Sequence, residues 1–242
     1  MSTAQRIGTT RRPGRIARVL GYEGPVATMM LGAFACFLAS ASFLASLLPA
    51  IAFQALVGWQ STHLAIWLGA LSLSTAFPAV RALLVVAGAI LDEGIATARV
   101  GRLYWRTFAD SFRDLPWALG ILPVAAVVLG YDLALMGSSD TVFLIVWAAV
   151  LVIVVFLIGL ASSTAPSGER TALEIVARTA VAIARRPHIA LAWLLIVALT
   201  AAATVLPVLG ALAVLLLPAV SAVGIVMCNR ALGFSVAQEV RR

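Results

Sequence analysis

Residues 24–80 read GPVATMMLGAFACFLASASFLASLLPAIAFQALVGWQSTHLAIWLGALSLSTAFPAV, 57 positions without an Asp, Glu, Arg or Lys. A helix rises about 1.5 Å per residue and the hydrocarbon core is about 30 Å thick, so one crossing needs roughly 20 apolar residues. The run is therefore two crossings folded back on each other. Gly58, Gln60 and Ser61 place the reversal within residues 49–62. A second charge-free run, residues 187–229, covers 43 positions and divides in the same way near 207–210. With two further apolar runs between them, the reading is an all-α polytopic membrane protein. Its six transmembrane helices lie at about 26–48, 64–91, 115–136, 141–162, 188–206 and 208–228. Continuous apolar runs exclude a β-barrel, whose strands alternate apolar and polar residues. A composition 62% hydrophobic and 11% charged excludes a water-soluble domain.

All 17 basic residues are arginine, and their placement predicts the orientation. Arg6, Arg11, Arg12, Arg15 and Arg18 precede the first crossing, and Arg99, Arg102, Arg106 and Arg113 follow the second. Arg170, Arg178, Arg185 and Arg186 follow the fourth, and Arg230, Arg241 and Arg242 follow the sixth. The three alternate loops hold none. By the positive-inside rule both termini face the cytoplasm, which requires an even number of crossings. The expected organisation is a basic cytoplasmic tail (1–24), a six-helix membrane domain (25–232) and a short cytoplasmic tail (233–242) in the plasma (inner) membrane. Basic clusters between apolar runs match the surface of a lipid bilayer, so no nucleic acid is expected as a partner. The Arg-rich start resembles a targeting peptide, but the apolar run behind it is too long for a cleaved signal, and the tail is read as retained.

Two segments behind the second and fourth crossings read as amphipathic cytoplasmic helices. In the first, Arg102, Arg106, Asp110 and Arg113 recur at helical spacing, with Tyr104, Phe108, Phe112 and Leu115 on another face. In the second, Glu174, Arg178 and Arg185 form a charged stripe, and Leu173, Ala177, Ala180 and Ala184 an apolar one. Each ends at a proline, Pro116 or Pro187, that opens the next crossing. Arg106-Thr107 and Arg178-Thr179 stand 72 positions apart, as do Arg113 and Arg185, an echo that an internal duplication would leave. Trp59 and Trp67 suit an outer aromatic belt; Tyr104, Trp105 and Trp117 suit an inner one.

Arg81 is the one full charge well inside a crossing. An arginine at the bilayer centre costs about 2.5–3.5 kcal/mol, so it needs protein, water or a counter-charge. A kink at Pro78 frees carbonyls to receive its guanidinium. Two readings stand: an anion or substrate contact, or an arginine paired internally or reaching the inner boundary. Asp132 and Asp140 flank an outer turn, and Asp132, nearer the hydrophobic zone, is the better candidate for an intramembrane role. The His and Cys residues, two of each, are scattered, so no metal, cofactor or catalytic centre is expected; Cys36 and Cys228 read as packing residues.

The order of these features resembles the YesL family of bacterial membrane proteins. The resemblance rests on Leu47-Leu48-Pro49 closing the first crossing and Phe77-Pro78-Ala79-Val80-Arg81-Ala82 in the second. It continues with Trp105, Phe108 and Phe112 behind the second crossing, Asp132 near the end of the third, and the second amphipathic segment. Phe77 stands where the family usually has glycine. The resemblance implies a non-catalytic accessory or regulatory component near a carbohydrate importer, with ABC importer subunits as partners and Trp105, Arg106, Phe108, Phe112 and Arg178 as docking residues. A stand-alone secondary carrier is the alternative. So is an ABC permease subunit, since Gly101, Trp105 and Phe108 have the spacing of a coupling loop, although Ile95 and Val100 replace its acids.

Overall fold

In a computed structural model that describes residues 25–60, 62–93, 97–136, 140–163, 172–204 and 210–234, the described residues are helical and contain no strand. The helices are α1 (Pro25–Ser46), α2 (Leu48–Leu56), α3 (His63–Ser72), α4 (Ala76–Glu93) and α5 (Thr97–Asp114), followed by α6 (Ile121–Met136), α7 (Asp140–Ser163), α8 (Ala172–Arg185), α9 (Pro187–Thr204) and α10 (Gly210–Ala231). Six stretches are long and apolar enough to cross a membrane: Met29–Ser46, His63–Asp92, Pro116–Met136, Asp140–Ser163, Pro187–Thr204 and Val214–Ala231. This is the architecture of a multi-pass helical membrane protein. Residues 1–24, 137–139, 205–209 and 235–242, on which the N-terminal tail, two of the expected loops and most of the C-terminal tail fall, lie outside the described residues, as does Arg170.

The first reversal differs from expectation. Residues expected to form the break are helical as far as Leu56, because a proline at the first turn of a helix lacks only an N–H that would be unpaired there, and Pro49 sits in that turn of α2. The chain turns within residues 57–62, where the Thr62 hydroxyl caps α3 by accepting from the Ala65 N–H at 3.3 Å. The second crossing is interrupted rather than continuous: α3 tightens into a 3-10 turn at Leu73–Thr75 before α4 and Pro78.

A core of small side chains holds α1, α4 and α10 together. Ala35, Ala39 and Ser40 of α1 face Ala219 and Ala222 of α10, and all five are buried. In lipid, where no hydrophobic effect draws helices together, small residues permit the close backbone approach that packing requires. The end of α10 is fixed by a Schellman turn. Gly233 takes φ +62, Phe234 N–H donates to Asn229 C=O at 2.7 Å, and the Phe234 ring packs edge-on against Trp193 of α9 at 5.1 Å. Trp193 in turn donates to the Asn229 amide oxygen at 2.8 Å, and Asn229 reaches Ser162 of α7 at 3.3 Å. Arg230 pairs with Asp92 of α4 at 2.8 Å, and Arg186 donates to the carbonyls of Leu232 and Gly233. The ends of α4, α7, α9 and α10 therefore meet at one end of the bundle.

Candidate functional site

The candidate residues of α4 and α5 meet along a polar seam. α5 ends at Asp114, ahead of Leu115 and the N–H-less Pro116, and its inner face presents Val100, Tyr104 and Ser111, buried like Leu115 on the side that meets α4 and α1. Arg81 is 8% exposed and projects into this contact. Its Nη1 donates to Ser111 Oγ at 3.2 Å and lies 3.7 Å from the carboxylate of Asp114, which is half open to solvent. Ser111 sends its own proton to Thr107 C=O at 2.7 Å, so its oxygen is free to accept from the guanidinium. The guanidinium partners are thus a hydroxyl and a carboxylate on α5; the carbonyls expected to be freed by Pro78 do not supply them. Pro78 is fully buried within the α4 packing face.

Tyr104 corrects a second expectation. Its side chain is wholly buried, so it does not belong to an aromatic belt. The Ser46 and Tyr104 hydroxyls share a hydrogen bond at 2.8 Å, with Phe43 C=O 2.7 Å from the Ser46 oxygen and Ala79 C=O 3.5 Å from the Tyr104 oxygen as further acceptors. The seam therefore ties α5 to the last residue of α1. Burial pushes the Tyr104 hydroxyl up to about 12, against the opposing pull of Ser46. Because the unfolded chain loses this proton near pH 10, the stability Tyr104 contributes is complete below about pH 10 and is lost as pH rises through about 12. Tyr104→Phe is expected to abolish the phenolate absorbance step centred near 12 and to flatten the stability loss over that interval; an unchanged alkaline titration would contradict the burial.

Of the expected docking residues, Trp105 and Arg106 are exposed on the side of α5 away from the bundle, beside Arg102 and Arg113. Arg106 stands 3.9 Å from Asp110 in an open i,i+4 pair, which contributes only about 0.3–0.5 kcal/mol. Phe108 packs against the core between Tyr104 and Phe112, and Phe112 lies at the edge of that aromatic row. Arg178 is drawn onto Glu174 within α8.

The apolar stripe of α8 does not pack on the protein. Leu173 is 77% exposed, and Ala177, Ala180 and Ala184 face outward with it. Thr179 and Ala182 make the inner face instead. Gly159 of α7 favours this choice: a Cβ there would stand 2.8 Å from the end methyl of Ile183 and 3.1 Å from the methyl of Thr179, so a larger residue would have to displace those side chains. The positions related by 72 are consequently unlike, Arg106 being far more open than Arg178.

Asp132 is half-buried, and no hydrogen bond or ion pair joins it to a described residue. Its neighbour Tyr131 is the better connected. The Tyr131 hydroxyl receives the Trp67 indole N–H at 3.2 Å and shares a hydrogen bond with His63 Nδ1 at 2.8 Å, joining α6 to the start of α3. The sequence singled out none of this triad as a unit, because its members lie 64 and 68 positions from Tyr131. Cys36 and Cys228 are free thiols. Compared with protein-family models, with curated proteins and with solved structures, the chain finds no match.

Proposed function

We propose that this is a plasma-membrane protein with both termini in the cytoplasm, acting without catalysis as a YesL-like accessory component of solute import, in which α5 is the docking element for the importer. The one-sided arginine distribution supports the orientation. The acidic end of α4, the Arg230 end of α10 and Arg186, just before α9, gather at one end through the Arg230–Asp92 pair and the contacts of Arg186, and the alternate loops bear no arginine. The observation that carries the docking role is the outward face of α5. Trp105, Arg102, Arg106 and Arg113 form an aromatic and guanidinium surface opposite the packed face, the composition in which interface hot spots concentrate. In this reading α8 is a cytoplasmic amphipathic helix whose outward apolar stripe rests in the inner leaflet, and α5 starts at the cytoplasmic end and runs into the bundle, where its inner face reaches Arg81 and Ser46.

Affinity capture of the tagged full-length protein from cells, read for ABC importer subunits, tests the role. Trp105→Ala with Arg102→Ala is expected to reduce that recovery at least tenfold and to slow carbohydrate uptake while expression is unchanged. Recovery unaffected by the substitutions would remove α5 from the role. The carrier alternative draws support from the interruptions at Leu47 and Leu73–Thr75 in adjacent crossings, a feature of transporter binding regions; solute accumulation by the purified protein alone in liposomes would establish it in place of the accessory reading.

A further inference from the structure

The 3-10 turn at Leu73–Thr75 interrupts the second crossing, Leu47 interrupts the chain between α1 and α2, and a cavity of about 460 Å³ lies between the two breaks. Pro49 and Ala52 of α2, Leu68 and Leu71 of α3, and Ser74 and Thr75 of the turn contribute to its walls. Phe53 forms a further part, and its ring and that of Trp59 lie so near Gly69 that a Cβ there would stand 2.8 Å from either. That contact ties α2 to α3 beside the cavity. Leu56 is 84% exposed and Leu71 66%, and both line the space, so it opens at the surface between α2 and α3.

Two hydroxyls in this wall behave unlike those elsewhere in the bundle. Ser111, Thr179, Thr200 and Ser221 return their hydroxyl protons to a carbonyl of the preceding turn, and Ser72, which also lines the cavity, does so to Gly69 C=O at 2.7 Å. Ser74 and Thr75, in the tighter 3-10 turn, do not. No hydrogen bond joins either hydroxyl to a described residue, and Thr75 Oγ1 is also shielded from solvent. The crossing that holds them runs from His63 to Asp92, so Thr75 stands roughly 18 Å from His63 at about 1.5 Å per residue. A hydroxyl that deep in a crossing is costly without a partner. Two donors with acceptor capacity to spare therefore sit side by side in a wall that is otherwise mainly apolar: Ser74 is open to the space, and a rotation about χ1 brings Thr75 to it. No charged residue lines the cavity.

We propose that this cavity binds a small uncharged amphiphile, an apolar body ending in a hydroxyl or carbonyl group, with that group hydrogen-bonded to Ser74 and Thr75. An ion would find no counter-charge in the lining, and a solute with many hydroxyls would leave most of them unpaired against Leu, Ala and Phe. The volume falls within the roughly 300–1,000 Å³ of small-molecule sites. The proposal requires the multi-pass architecture and is independent of the docking role of α5.

The test uses the full-length protein in phosphatidylcholine nanodiscs with octanol bearing a photoactivatable diazirine beside its hydroxyl end. Crosslinks are expected to concentrate on residues 48–57 and 68–76, to be displaced by excess plain octanol, and to fall at least tenfold in Ala52→Trp, which fills the space. Leu71→Trp fills it from the other helix and serves if the first variant does not fold, judged by its thermal transition. Labelling of the outer face of α9, at Leu191, Leu195 and Leu199, reports bulk lipid and should not change. Ser74→Ala with Thr75→Val is expected to weaken displacement by octanol about tenfold and to leave the weaker displacement by octane as it was. Labelling of α2 and α3 equal to that of α9, insensitive to competitor and to both fillers, would reduce the site to ordinary lipid contact. Octane competing as well as octanol, or an unchanged response in the Ser74 and Thr75 variant, would overturn the role of the hydroxyls. Octanoate, ionised at pH 8, competing as well as octanol would overturn the uncharged assignment.

Discussion

Asp114→Asn and Ser111→Val are each expected to destabilise the protein more than Arg81→Met does, even though Arg81 is the residue that draws attention in the sequence. The reasoning concerns what each change leaves behind. Removing Arg81 takes away the buried charge itself; Ser111 keeps its bond to Thr107, and Asp114, half open, is hydrated in place. Methionine refills most of the volume, so the loss should stay under about 1.5 kcal/mol. Removing a partner leaves a guanidinium, 10% exposed and with its Nε already unpartnered, in a poorly solvating contact between helices. Breaking a fully buried pair costs about 3–5 kcal/mol. Because water reaches Asp114, about 2 kcal/mol is expected for Asp114→Asn. For Ser111→Val the hydrogen bond to a charged group sets the scale at about 1.5–3 kcal/mol. Unfolding of the purified protein by SDS in mixed micelles gives all three values. If Arg81→Met proved the most damaging, the guanidinium would be a net source of stability and the clamp description would be wrong. If it left stability intact yet abolished solute uptake in cells, Arg81 would return to the role of a substrate or anion contact.

This ordering shows what a linear reading can and cannot reach. The crossing at residues 141–162 matches the span Asp140–Ser163 within a residue at each end, because an uninterrupted apolar run is bounded by the first residue that lipid rejects. The extra helix Leu48–Leu56 was not legible, since a proline signals a break in a helix interior and a start in a first turn, and only the fold decides which. Arg81 was found by charge alone. Its partner Asp114 was not, because an acid in a loop ordinarily belongs to water, and only the docking of α5 on α4 carries it back toward the arginine. The Tyr104–Ser46 and Tyr131–His63 contacts join uncharged or weakly basic side chains 58 and 68 positions apart. Nothing local distinguishes such residues from others of their type. The apolar stripe of α8 was legible as a stripe, but not which way it turns, because amphipathic spacing does not say what each face meets. In the structure Thr179 and Ile183 sit close over Gly159, and the apolar stripe turns outward.

The second large effect is expected at a residue with no sequence signature, Ser40. Pro218 stands inside α10 and brings no N–H to the helix, and the ring pushes the neighbouring backbone out of register. The adjacent N–H, that of Ala219, donates to Ser40 Oγ of α1 at 3.0 Å, and the same hydroxyl donates to Leu216 C=O at 3.3 Å. One buried side chain thus supplies an acceptor and a donor to a broken ladder in a setting where water does not substitute. Interhelical hydrogen bonds in membranes contribute about 0.6–2 kcal/mol each, so Ser40→Ala is expected to cost about 2 kcal/mol. The explanation is specific enough for a double-mutant cycle. With Pro218→Ala the ladder can close on its own, and Ser40→Ala in that background should cost under about 1 kcal/mol. A coupling of at least 1 kcal/mol between the two substitutions follows, whereas independent sites add to within about 0.3–0.5 kcal/mol. Additivity in SDS unfolding would mean that Ser40 stabilises the bundle only by letting α1 and α10 approach. Coupling would identify the serine as the group that makes a proline affordable at this depth, and would make the α1–α10 contact, rather than Pro218 alone, the element that fixes the bend.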